Sequence, residues 1–191
     1  MNYLAHLSLS EPDSESMAGN LMGDFRKYLN GEELPEKVQL GIDNHLRVDK
    51  FTDSNPIVIE ARRLFSPERR RFAGIILDVV FDHFLSLHWQ RFSDESLDGF
   101  IERSYENIQS QHAIMPARMQ YVMKLMINDN WLKTYAEMSG IDLVLNRMSK
   151  RIRFENKLYG AIEEVEDHQE ALEQCFLQFF PELTGYVESI K

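Results

Sequence analysis

The chain has a single cysteine, Cys175, so no internal disulfide can form. That thiol sits beside Phe176, Leu177 and Phe179, which reads as an inert core position and fits a reducing, cytoplasmic setting. Glycine (nine) and proline (six) are too few and scattered for a many-turned β architecture. No apolar run approaches the ~18 residues of a membrane span. The stretch Met1 to Ser10 has no basic region and only a broken apolar run, so no secretory signal is expected. Positive charge is scarce: 21 Lys and Arg against 31 Asp and Glu give a formal net charge of -10. That balance disfavours general nucleic-acid binding by long-range attraction. A glycine-rich phosphate loop is lacking too, since Gly19-Asn20-Leu21-Met22-Gly23 has neither the lysine nor the spacing of one.

Helical punctuation is what the sequence does contain. Ser14 or Ser16 is placed to cap a helix through Met17, Leu21 and Phe25 to Tyr28, stopped by Asn30-Gly31. Pro35 suits the first turn of a helix carrying Val38, Ile42, His45 and Asp49, broken by Thr52 to Pro56, where a third begins. Ser66-Pro67-Glu68 opens a long apolar helix to about Arg91, Ser93-Asp94 caps the next, and Pro116 starts one bearing Met119, Met123 and Met126. Further helices follow over 131–138, 141–151 and 156–180, with Gly140 as a break. Strand alternation, repeats and linkers are missing, so the expectation is one all-α domain over residues 1–191.

Inside the apolar helix stands Leu77-Asp78-Val79-Val80-Phe81-Asp82-His83-Phe84. A bare buried charge costs several kcal/mol or more, so carboxylates in such a stretch need a partner. Asp78 and Asp82 are four apart and share a helix face, with His83 beside them, and a cation between them is the first hypothesis. Other residues with ligand potential are His6, Asp24, His45, Asp49 and Asp53; His45 and Asp49 are also four apart. Imidazole and carboxylate without thiolate suit Mn2+, Mg2+, Fe2+ or Zn2+. Each residue taken alone also reads as a hydrogen-bonded structural group or a helix cap.

Arg62, Arg63, Arg69, Arg70 and Arg71 put five arginines in ten residues of an acidic chain. They form either a patch for phosphate or an acidic partner, or a solvated face paired with Glu60 and Glu68. Lys150, Arg151 and Arg153 make a smaller cluster with the same two readings.

The blocks Met1-Asn2-Tyr3-Leu4-Ala5-His6-Leu7, Gly19 to Phe25, Gly41-Ile42, His45 to Asp49 and Phe51-Thr52-Asp53 fall in order along the chain. Arg70 to Ile75, Asp78 to Leu85 and Trp131-Leu132 continue the series. Together they resemble the bacterial acyl carrier protein phosphodiesterase family, an atypical branch of the all-helical HD-domain phosphohydrolases. The resemblance implies hydrolysis of the phosphodiester joining 4'-phosphopantetheine to a serine of holo-acyl carrier protein, with Mn2+ preferred. It implies Asp24, His45, Asp82 and His83 as the leading metal or catalytic residues, with His6, Asp49 and Asp78 behind them. An arginine such as Arg47 or Arg70 would steady the phosphate. The usual superfamily signature runs His-Asp, whereas here the order is Asp82-His83, so ligand roles do not transfer by counting. Acyl carrier protein is strongly acidic, which makes the arginines at 62, 63, 69, 70 and 71 the expected docking patch. The alternative reading is an HD-type phosphohydrolase of a nucleotide or another small phosphoester. No membrane and no nucleic acid are expected as partners, and the sequence leaves the oligomeric state open.

Overall fold

The computed structural model describes residues 1–29, 31 and 33–190, and among them there is no strand. The all-α expectation holds. Contacts sort the chain into two compact units: Tyr3–Asp49 with Trp89–Lys133, and Met1–Asn2 with Lys50–His88 and Thr134–Lys191. Neither unit is a continuous stretch of sequence, because the chain passes from one set to the other at four places. No helix among the described residues is long and apolar enough to cross a membrane.

The first unit holds α1 (Tyr3–Ser8), α2 (Ser14–Met22), α3 (Glu36–Ser54) as far as Asp49, α6 (Leu97–Ser110) and α7 (Ala117–Asn128). Asp13, not Ser14 or Ser16, caps α2 by accepting from the Ser16 N–H. The helix then tightens into a 3-10 segment over Gly23–Tyr28; the Asn30 stop lies outside the described residues. α2 packs against α3 backbone to backbone. A Cβ on Gly19 would lie 2.1 Å from the Val38 carbonyl oxygen, and one on Gly41 2.5 Å from that of Ser16. Glycine at both positions is what permits the approach. Ser96 rather than Ser93 caps α6, with its Oγ accepting from Gly99 N–H. Pro116 precedes α7 as expected, and Met119, Met123 and Met126 are core.

The second unit holds the end of α3, α4 (Pro56–Arg62), α5 (Ala73–Leu87), α9 (Met138–Arg151), α10 (Ile162–Asp167) and α11 (Gln169–Ser189). Thr52 and Asp53 do not break α3, which runs to Ser54. The stop comes from Asn55, which caps α4, and from Pro56 at its first turn. The long apolar helix is shorter than its sequence pattern: 3-10 turns at Arg70–Phe72 and Trp89–Arg91 bracket α5. Gly140 is no break but lies in the first turn of α9, where a Cβ would come 1.9 Å from the Thr134 carbonyl oxygen. Phe81, Phe84, Phe176, Phe179 and Phe180 are all 0–1% exposed, and α11 continues past Pro181 on the buried stripe Leu183 and Val187. Each such side chain contributes roughly 1.5–3 kcal/mol of burial, which fixes α5 against α11.

Candidate metal centre

In the first unit three elements converge. α1 brings His6, α2 brings Asn20, and α3 brings His45 and Asp49 one turn apart. His45 Nε2 lies 3.1 Å from Asp49 Oδ2, and His6 Nε2 lies 3.2 Å from Asp49 Oδ1. The two imidazoles stack with centroids 3.9 Å apart and planes inclined by 17°. One ligand atom from each of His6, His45 and Asp49 falls within a 4.8 Å span. Asp24, at the start of the 3-10 segment, adds Oδ1 at 3.6 Å from His45 Nε2 with a side chain 52% exposed. A Cβ on Gly23 would meet the His45 ring at 2.3 Å, so the glycine before Asp24 makes room for the imidazole.

The protonation pattern calls for a cation. Asn20 Oδ1 is an acceptor 3.1 Å from His6 Nδ1, so Nδ1 carries the hydrogen and donates. Nε2 of a neutral His6 then presents a lone pair to the Asp49 carboxylate, two acceptors face to face. A proton on the imidazole would reconcile them, but burial pushes the His6 pKa down to about 4. Burial works the other way on Asp49, yet hydrogen bonding to its oxygens, from His45 above all, outweighs it and holds the carboxylate well below its usual range. At neutral pH a buried, neutral His6 and a charged Asp49 carboxylate therefore face each other at 3.2 Å, with His45 Nε2 3.1 Å from the same carboxylate. A divalent ion fits that donor set, and Asn20 is the outer partner that fixes the His6 tautomer. Asn20 is absent from the residues singled out by spacing; its signal is a lone amide inside the apolar run Ala18 to Met22.

Asp78, Asp82 and His83 belong to the second unit. Asp78 Oδ1 accepts from the Met1 amino group at 2.9 Å, so this carboxylate already has its cation. Asp82 is wholly buried, and His83 Nδ1–H donates to the Tyr135 carbonyl at 2.7 Å, leaving Nε2 with its lone pair. Burial lowers the His83 pKa, and the bond to Tyr135 only partly opposes it. Arg47 is exposed on α3, two residues past His45 and so on the far side of the helix. Asp53 pairs with Arg62 and Arg63 with Glu60. Arg69 is consumed by Glu164 and by the carbonyls of Lys157, Tyr159 and Gly160. Arg70 and Arg71 are exposed.

Residues 1–183 match the family described as acyl carrier protein phosphodiesterase. The chain is 42% identical over 190 residues to a Yersinia enterocolitica protein of that name, covering 98% of each. It is 37% identical to the Photorhabdus laumondii protein so named, over 99% of this chain and 96% of that one. With the Pectobacterium atrosepticum protein of the same name the identity is 39% over 96% and 95%. No solved structure matches. The chain belongs to the acyl carrier protein phosphodiesterase family.

Proposed function

We propose that this chain is a metal-dependent phosphodiesterase. Its substrate would be the phosphodiester between 4'-phosphopantetheine and a serine of holo-acyl carrier protein, its products apo-acyl carrier protein and free phosphopantetheine, and its place of work the cytoplasm. What carries the reading is the cluster in which His6, His45 and Asp49 each bring a ligand atom within 4.8 Å of the others. His6, His45 and Asp49 would hold a divalent ion, Mn2+ by the family likeness, with Mg2+ or Fe2+ as the other hard or borderline choices. Such an ion supplies Lewis-acid chemistry, offsetting charge on a phosphoryl oxygen and making water a better nucleophile at neutral pH.

The chain's own groups do the rest. Asn20 holds the proton of His6 at Nδ1, and Gly23 lets the His45 ring lie flat beside Asp24. Asp24, half-exposed, is the carboxylate placed to orient water or take its proton. Asp82 and His83 stay in the reading as further metal-binding or catalytic residues, supported by their burial and by the lone pair on His83 Nε2. The HD-type kinship rests on the helical fold and these His–Asp groupings, and the whole span 1–191 is read as one domain.

The test strips the protein with EDTA, restores Mn2+ and follows holo-acyl carrier protein by intact mass. Loss of the phosphopantetheine mass only with metal is expected. Full turnover in EDTA would remove the metal from the reading. No mass loss under any condition would remove the substrate and favour a small phosphoester instead.

A further inference from the structure

Six exposed cations in the second unit gather around two segments far apart in sequence. Arg70 and Arg71 lie on one, and Lys150, Arg151, Arg153 and Lys157 on the other. In a chain of net charge -10 this is a local excess of the opposite sign. The second segment, residues 150–160, is tied to the first by Arg69, whose guanidinium donates to the carbonyls of Lys157, Tyr159 and Gly160. Glu164 anchors Arg69 in turn, accepting from it at 2.6 Å and from the Ser66 N–H and hydroxyl. Asn156 bonds the carbonyls of Ser149 and Phe154, and Gly160 turns the chain at φ 68°. The strap is therefore pinned, and its side chains are presented rather than loose.

Two of those side chains are large and apolar. Phe154 is 58% exposed and Tyr159 is 68% exposed. The Phe154 ring stacks on Phe72 at 6.4 Å, and Arg71 stands over the same Phe72 ring at 6.0 Å. Arginine and aromatic side chains on a preorganised support are the composition of the energetic centre of a protein interface. Of the nearby acids, Glu164 is engaged by Arg69 and Glu155 by Lys157, while Glu68 and Glu163 are exposed.

We propose that this face is where holo-acyl carrier protein docks. Arg70, Arg71, Arg151 and Arg153 would meet its carboxylates, and Phe154 and Tyr159 would make the apolar contact. The partner's identity rests on the phosphodiesterase reading above; the face itself rests on charge complementarity with an acidic protein. It keeps Arg70 and Arg71 of the expected arginine patch. Arg62, Arg63 and Arg69 are paired within the chain, and the strap supplies the cations that replace them.

The experiment uses the full chain with Mn2+ and compares wild type with the double variant Arg71→Glu/Arg153→Glu, and separately with Phe154→Ala and Tyr159→Ala. Each variant is first checked for an unchanged thermal melt. Cleavage of holo-acyl carrier protein gives kcat and KM, and anisotropy of labelled apo-acyl carrier protein gives affinity at low and high salt. The double reversal is expected to raise KM and weaken binding at least about tenfold with kcat held, and to abolish most of the salt dependence. Each aromatic truncation is expected to raise KM by roughly three- to tenfold. A KM and affinity within twofold of wild type in the double variant would overturn the docking face while cleavage by wild type leaves the activity standing. Wild type that neither cleaves the holo form nor binds the apo form would overturn both. Binding of the face to phosphatidylglycerol vesicles, lost on charge reversal and without any carrier-protein binding, would make it a membrane surface and overturn the proposal.

Discussion

His45 and Asp49 on α3, and Asp78 and Asp82 on α5, are acid-bearing pairs of the same helical spacing that meet different surroundings. On α3 both members turn to one object: His45 Nε2 touches Asp49 at 3.1 Å and His6 arrives from α1 to close the group. On α5 the setting differs. Asp78 goes to the Met1 ammonium, Asp82 is wholly buried, and the neighbouring His83 donates to a backbone carbonyl. Spacing four residues apart puts two side chains on one face; what that face meets decides their chemistry. Around His45 the helices approach through Gly19, Gly41 and Gly23, which leaves room for rings and oxygens. Asp82 stands in a stretch where Phe81 and Phe84 are wholly buried as well.

The largest effect that would sharpen this contrast is loss of the ion. His45→Ala and Asp49→Asn are each expected to lower bound Mn2+ to a small fraction and turnover of holo-acyl carrier protein by more than the 10–100-fold typical of outer partners. Metal analysis and intact-mass kinetics on the same preparations check both. Variants that keep a stoichiometric ion would make the α3 group structural.

Acid stability comes next. The buried His6 has its pKa lowered from 6.5 to about 4. Between those values the unfolded chain binds a proton there that the folded chain does not, so stability falls as pH falls through this window and is fully present above it. The slope is on the order of 1.4 kcal/mol per pH unit at most. Urea unfolding of EDTA-treated protein from pH 7 to 4 is expected to show that loss, and His6→Gln to flatten it. Burial acts on His83 in the same direction, so some slope persists in His6→Gln protein. An unchanged slope in the variant would mean that His6 is charged in the fold.

A smaller change separates ligand from support. Asn20→Ala removes the acceptor that fixes the His6 tautomer, and about a 10–100-fold loss of Mn2+ affinity is expected, with kcat largely recovered at saturating metal. Mn2+ titrations of activity read this directly. Loss of kcat that excess metal does not restore would place Asn20 in the chemistry.

These residues also mark how far the sequence could be read. Helix starts at Pro56 and Pro116 and the all-α class were legible, because proline and apolar spacing act locally. Gly140 was misread as a break because its reason, the Thr134 carbonyl, is a packing contact. His45 and Asp49 were legible as two ligand-type side chains on one helix face. Asn20 was not, since it matters only once α2 meets His6 on α1. The arginines show the same limit: their clustering is visible, but Arg69's partner Glu164 lies 95 residues away.

The smallest expected effect bears hardest on the comparison. Asp78 shares with Asp49 its residue type and a helical i,i+4 companion, but its side chain is 39% exposed and its partner is an ammonium group. An ion pair of that exposure is worth up to ~1 kcal/mol and weakens with salt. Asp78→Asn is therefore expected to cost less than about 1 kcal/mol in urea unfolding at low salt, less again near 1 M salt, and to leave Mn2+ content and turnover within twofold. The pair holds the start of the chain to α5, and only that attachment is lost. If Asp78→Asn instead stripped the ion as Asp49→Asn does, the spacing shared by the two helices would have the same meaning in both, and Asp78 would be a ligand.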